Sequence, residues 1–330
     1  MKSHLAHSLL AATALGGISL AQTTGHTNPL GFTTQTLGAN RQNLVGLNLM
    51  KRVIAAGSFT AVSGPTISDS QTNFSQAIPA GKMAVLEITS GAAAGTVQDF
   101  AVWNENSITL PAEIPGLAVG DTYKVRLTHT LQELFPAGTL TAALSASNAD
   151  KVWIPTGPGI YDRYWYKSGN PVEWHRTSDG KNDTGLVTSE VSLLYIDGII
   201  VEKKASAHKL VLSGEVKTTG SNVLLGQGQN LISVVPPTGA TLFASGLQGD
   251  IASSAKVSTS DIVWVPSGAN AYTKYWYKST APTGWRITSG SKDLGAVSAD
   301  VPLPPSIFIQ RRSATPTVVT MDVPNTYSSL

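Results

Sequence analysis

The chain of 330 residues contains no cysteine. That excludes disulfides and thiolate metal sites, so packing alone must hold the fold. Charge is scarce as well. Asp, Glu, Lys and Arg make up 13% of the residues, 23 basic against 21 acidic, so no global field draws in nucleic acid or a strongly anionic surface. Beyond the N-terminal segment no stretch shows a long helical period, and none approaches the roughly 20 apolar residues of a membrane span. His-Glu-x-x-His and Gly-x-Ser-x-Gly are both missing. His26, His129, His175 and His208 are scattered, while His4 and His7 lie in the N-terminal segment. The expectation from these absences is a protein with no catalytic residues, no bound metal and no cofactor.

Hydrophobic residues, at 42%, are enough to close a core in each of two or three domains. Lys2, the apolar stretch Leu9 to Leu20 and the small residues around Ser19-Leu20-Ala21 have the form of a signal peptide cut before Gln22. Residues 1–21 are therefore expected to leave a mature chain exported to the periplasm, the cell surface or the medium. No transmembrane span is expected in it.

Aromatics are only 7% of the chain, yet Tyr-Trp-Tyr-Lys-Ser occurs twice, at 164–168 and 275–279. Sliding the chain by 111 residues lays Trp153 to Ser178 on Trp264 to Ser289 without a gap, with 13 of 26 positions identical. Outside that block Asn43-Leu44-Val45 resembles Asn230-Leu231-Ile232, and Ile199 to Lys204 resembles Ile307 to Arg312. Two copies are too few for a solenoid. They predict tandem domains, 22–213 and 214–330, the first with a β-rich insertion at about 64–131. Runs such as Ala84-Val85-Leu86-Glu87-Ile88 and Thr317-Val318-Val319-Thr320, parted by Gly, Pro, Ser and Asn, predict an all-β fold of sandwich-like or barrel-like domains. One helical turn is expected at Thr130 to Leu134.

Strand alternation puts Tyr161, Arg163, Trp165 and Lys167 on one face and Asp162, Tyr164, Tyr166 and Ser168 on the other. The order of cation, ring and cation persists as Lys274, Trp276 and Lys278, so this face is expected toward solvent and the Tyr-Tyr face toward the core. A four-residue loop at Ser168 to Pro171 would set Trp165 opposite Trp174 and, in the second copy, Trp276 opposite Trp285. Such a hairpin serves packing first. Its paired indoles would also make a flat platform for sugar rings, with Tyr161, Trp165, Lys167, Trp174, Tyr272, Trp276, Lys278 and Trp285 as the candidate binding residues.

Three weaker signals remain. Asp99, Glu105 and Asp121 lie close in sequence, without spacing that argues for a hydrolytic carboxylate pair. Ser90 to Gly95 is Gly-rich but lacks the Lys-Ser/Thr of a phosphate loop, and reads as a turn. Asp179-Gly180-Lys181-Asn182-Asp183 lacks the terminal Glu of a calcium loop and reads as a polar turn.

The aromatic block, the Ile88 to Gly120-Asp121 insertion and the basic closing strands together resemble a family of uncharacterised secreted proteins of about 300 residues, found chiefly in verrucomicrobial bacteria. The resemblance implies placement in or beyond the envelope of a diderm bacterium. It brings no known site residues with it. The leading expectation is a structural or adhesive envelope protein that acts by surface contact and possible self-assembly, with itself or other envelope components as partners. A carbohydrate-binding module with polysaccharide as partner is the alternative, and a secreted hydrolase the third reading.

Overall fold

The computed structural model describes residues 29–169, 172–187 and 191–329, so the expected signal peptide at 1–21 lies outside the described residues. The described chain is all-β, with helix confined to single turns. Among the described residues no helix is long and apolar enough to cross a membrane.

Eight strands of the first half recur in the second. They are β1 (Leu30–Leu37), β2 (Arg41–Gly46), β3 (Lys151–Gly157), β4 (Ile160–Lys167), β5 (Glu173–Thr177), β6 (Asp183–Leu186), β7 (Gly198–Lys203) and β8 (His208–Glu215). Their counterparts are β9 (Ser221–Leu225), β10 (Gly228–Ser233), β11 (Ile262–Gly268), β12 (Ala271–Lys278), β13 (Gly284–Ser289), β14 (Lys292–Ala296), β15 (Ser306–Arg311) and β16 (Thr317–Met321). The first set forms an antiparallel sheet in the order β6-β5-β4-β3-β7-β2 and a ribbon β1-β8. The second set repeats both, as β14-β13-β12-β11-β15-β10 and β9-β16.

Each ribbon lays its apolar face on its own sheet. Leu37, Leu210 and Leu212 of the first ribbon pack on Val152, Tyr164, Tyr166 and Trp174. Val223, Val319 and Met321 of the second pack on Val263, Tyr275 and Trp285. The expected core side of the hairpin is therefore the observed one. The expected boundary at Ser213-Gly214 falls inside β8, whose pairing with β1 continues to Glu215 opposite Leu30. A Gly near a strand end reads as a break in sequence, but here it stays in the ladder.

Three features explain why the repeated residues repeat. The register of β3 against β4 shifts between Pro155 and Gly157, and that of β11 against β12 between Pro266 and Gly268. Proline has no amide hydrogen for a ladder, so a bulge is where a strand tolerates it. Asn43 and Asn230 each tie down the turn before their strand, accepting from Gly38 N at 2.7 Å and Gly226 N at 3.0 Å. Each also donates across the sheet, to Val201 O at 3.1 Å and Ile309 O at 3.2 Å. Finally, the buried carboxylate of Asp150 pairs with Lys203 and accepts from Lys204 N at 2.6 Å. Asp261 pairs with Arg311 at 3.0 Å and accepts from Arg312 N at 2.7 Å. The basic closing strand thus ends on an internal counter-ion in both halves.

The insertion is a small sandwich with its own core of Phe59, Phe74, Phe100, Ile108 and Tyr123. One layer holds strands Val53–Ser58, Thr122–Leu127, Ala84–Ile88 and Val97–Phe100, and the other holds Ala61–Ser63, Thr66–Ser68, Ser107–Thr109 and Val102–Trp103. Its strands run from Val53 to Leu127, earlier than expected at the start. Gly64, the expected start, is the left-handed turn residue (φ 55°) between two of them. The helical turn Leu131–Leu134 follows, capped by Thr130 and Glu133 in a reciprocal capping box.

Three contacts seat the insertion on the repeats. The Gly-rich turn meets β9, where Asn222 N donates to Gly95 O at 2.9 Å and its amide to Ala94 O at 2.9 Å. Buried Glu87 and Arg126 of the insertion pair with Lys217, in the connection between the halves, and with Glu215, at the end of β8. Asp99 of the strand Val97–Phe100 faces Asp197, just before β7. Burial, with the Asp99 carboxylate as a like charge, pushes Asp197 up to about 7.

Folded Asp197 therefore holds a proton that the unfolded chain releases near the ordinary carboxylate value of about 4. Its contribution to stability is complete below about pH 4 and is lost as pH rises through about 7. Thermal midpoints of the wild type and Asp197→Asn across pH should accordingly converge at acid pH. Between about pH 4 and 7 the wild type should fall progressively below the variant and the gap should level off above neutrality; the same difference at every pH would refute the assignment.

Candidate functional site

The hairpin register differs from expectation by one residue. Trp165 pairs with His175 and Tyr166 with Trp174, and the second copy pairs Trp276 with Arg286 and Tyr277 with Trp285. Because Lys167 pairs with Glu173 and Lys278 with Gly284, five residues close each loop where four were expected. The odd residue moves Trp174 and Trp285 to the core face. There Trp174 stacks on Tyr166 at 4.0 Å between ring centroids, and Trp285 meets Tyr277 edge-on at 5.4 Å. The facing-indole platform is not formed.

Nor does the other face look onto water. Trp165 is fully buried under Ala143, Ala146 and Ala149, and Trp276 is buried with Val257 and Ile262. In both copies a segment runs alongside the end of the hairpin strand to make this cover. Ser168 N donates to Ala143 O at 2.8 Å, and Ser279 N to Ser254 O at 3.1 Å. Small residues let that segment lie flat on an indole, and the run Ala142-Ala143-Leu144-Ser145-Ala146 was the available signal. Lys167 reaches Asp183 at 2.8 Å, while Lys278 donates to the Ala281 carbonyl at 3.4 Å. Cations stack on other rings, with Arg163 over Trp153 at 4.2 Å and Lys274 over Trp264 at 3.7 Å.

Tyr161 and Tyr272 do come together, at a seam where the two six-stranded sheets pack face to face. Ile200 and Leu44 of the first sheet and Leu231 and Phe308 of the second close this seam, with Trp153, Tyr161, Trp264 and Tyr272 around them. The packing repeats itself across the seam, since β7 lies on β10 as β15 lies on β2. Burial there, with Tyr272 close by, pushes the Tyr161 phenol up to about 12. At its tightest point the first sheet carries Gly46 opposite Gly198, where the second carries Ser233 opposite Ser306. A methyl group on Gly46 would overlap the Pro305 carbonyl, and one on Gly198 would overlap Ser306.

At one end the seam opens into a groove of about 610 Å³, bounded by Asn40, Gln42, Trp153, Glu202, Lys204 and Asn270. A second hollow of about 260 Å³ continues from it toward Tyr272, sharing Arg41, Gln42 and Asn270. The amides of Asn40, Gln42 and Asn270 are exposed and have no hydrogen-bond partner among the described residues. Glu202 is already engaged by Lys204 at 2.6 Å and Lys151 at 3.5 Å. Sequence reasoning missed these amides. The one available signal was Asn270, at the position of Gly159 in an otherwise matched block.

The acidic candidates of the insertion do not converge. Asp121 accepts from Ala118 N at 2.9 Å within its own turn, Glu105 lies exposed in a loop, and Asp99 faces Asp197. Asp179 accepts from Lys181 N and Asn182 N, both at 2.8 Å, as a polar turn does. Among the described residues no group of three or more His, Asp or Glu side chains is arranged to hold a metal ion. No protein-family model, curated protein or solved structure matches this chain.

With Trp165 and Trp276 buried in both copies, truncation should remove core contacts. Trp165→Ala and Trp276→Ala should each cost about 3–5 kcal/mol in urea unfolding. Lys167→Ala and Lys278→Ala should stay within about 0.5 kcal/mol. Indole variants as stable as the wild type would contradict the burial.

Proposed function

We propose that this is an exported structural or adhesive protein of a bacterial envelope, built from two related tandem domains, that works by surface contact and self-association without chemistry. The observation that carries this reading is what the ribbons turn outward. On the first, Leu30 is 80% and Phe32 77% exposed, with Val211 beside them; on the second, Leu224 at 67% pairs across the ribbon with Val318. Large apolar side chains grouped on an outer face favour contact with another apolar surface. One such patch at the same place in each half makes the chain bivalent toward its own copies, and head-to-tail contacts of that kind extend into open assemblies. The signal-peptide pattern of residues 1–21 and the absence of cysteine support an exported chain held by packing.

Light scattering over a concentration series tests this directly. The apparent mass of the mature protein should rise with concentration and with added salt, which leaves apolar contact intact while screening charge. Phe32→Lys combined with Leu224→Lys should return it to the mass of one chain. A wild type that stays at one chain throughout would remove the reading.

A further inference from the structure

The seam between the sheets has two ends related by the internal repeat, and they are built differently. At the closed end the turn at Pro158-Gly159 sits down on the opposite half. Gly159 N donates to Gln229 O at 2.8 Å, and Pro158 lies so near Gly226 that a Cβ there would come within 2.7 Å of its ring. At the other end Ala269-Asn270 stands in place of Pro158-Gly159, and Asn40 to Gln42 in place of the segment ending at Gln229. Among the described residues no backbone hydrogen bond joins these two turns. The groove beside Trp153 opens in the gap.

We propose that this open end of the seam is a binding site for an oligosaccharide. A sugar ring presents hydroxyls that both donate and accept, on a body with apolar C–H faces. Each of the three free amides offers two donors and one acceptor oxygen, so together they can satisfy neighbouring hydroxyls in either sense. Trp153 and Tyr272 supply apolar wall, and Arg41, whose Nε is held by Asn43 Oδ1 at 3.1 Å, adds its terminal N–H groups at the join of the two hollows. The volume of about 610 Å³ lies within the usual range for small-molecule sites and leaves room for more than one ring. One departure from repeat symmetry falls on the residues that make the opening. Gly159, where the seam is shut, becomes Asn270, where it is lined with amides.

The site is independent of the ribbon patches, so calorimetry on it and light scattering on self-association can fail separately. Isothermal titration of the mature protein with cellotetraose, xylotetraose, mannotetraose and tetragalacturonate should give saturable binding for at least one. Gln42→Ala and Asn270→Gly should each weaken that binding tenfold or more with an unchanged thermal midpoint, glycine being the residue that accepts the left-handed backbone of Asn270 (φ 55°). The double change Ala269→Pro and Asn270→Gly, which copies the turn of the closed end, should abolish it. Absence of binding to all four sugars, or binding of equal strength in the amide and turn variants, would overturn the proposal.

Discussion

A six-stranded sheet with rings on both faces cannot leave either face to water, and everything else in this molecule follows from how the two sheets meet that demand. One face of each is covered by its own ribbon. The other is covered partly by the opposing sheet and partly by a short segment laid over Trp165 or Trp276. Each Trp or Tyr removed from water hides some 150–250 Å² of surface, so the duplicated rings weigh heavily in each half's own core, while the seam between the halves rests on Ile200, Leu231 and Phe308 with Trp153, Tyr161, Trp264 and Tyr272 around them. A single face can serve both partners because the repeat makes it complementary to its own copy, with glycine on one sheet meeting serine on the other where the backbones come closest.

Polar residues buried in this framework act as locators. Asp150 and Asp261 fix the end of the closing strand, and Asn43 and Asn230 fix the turn that starts the second strand of each sheet. Glu87, Arg126, Glu215 and Lys217 do the same for the insertion, joining it to the end of β8 and the connection between the halves. Buried ion pairs add little over apolar packing of equal volume. Removing one partner, however, leaves a charge without compensation and costs about 3–5 kcal/mol. Such pairs make alternative placements of the insertion expensive.

Apart from the glycine and serine pairs at the seam, the halves agree at the matched interior tryptophans and aspartates and diverge at the surface. Trp153 and Trp264, Trp165 and Trp276, and Asp150 and Asp261 serve the same structural ends in both. Asp162 against Thr273, Glu173 against Gly284 and Gly159 against Asn270 all lie at the surface or at turns. Differences in exposed chemistry between the copies are concentrated in that second class. The aromatic block, conspicuous in sequence, belongs to the first.

Composition and patterning were sufficient for the all-β class, the repeat, the core-facing Tyr-Tyr side and the helical turn ending at Leu134, because each rests on local chemistry or on residues compared along the chain. Asp150 and Asp261 were within reach of the same 111-residue shift, three positions before the matched block. Hairpin register was not, since one extra loop residue reverses every side chain beyond it and the loop carries no marker of its length. Whether the Trp face met solvent was decided only by segments distant in sequence, the other sheet and the Ala-rich cover, which pattern within a strand cannot see. The groove amides depend on that same long-range packing: alone, Asn40 and Asn270 are ordinary turn residues and Gln42 an ordinary strand residue, and only the meeting of the two sheets brings them to one place.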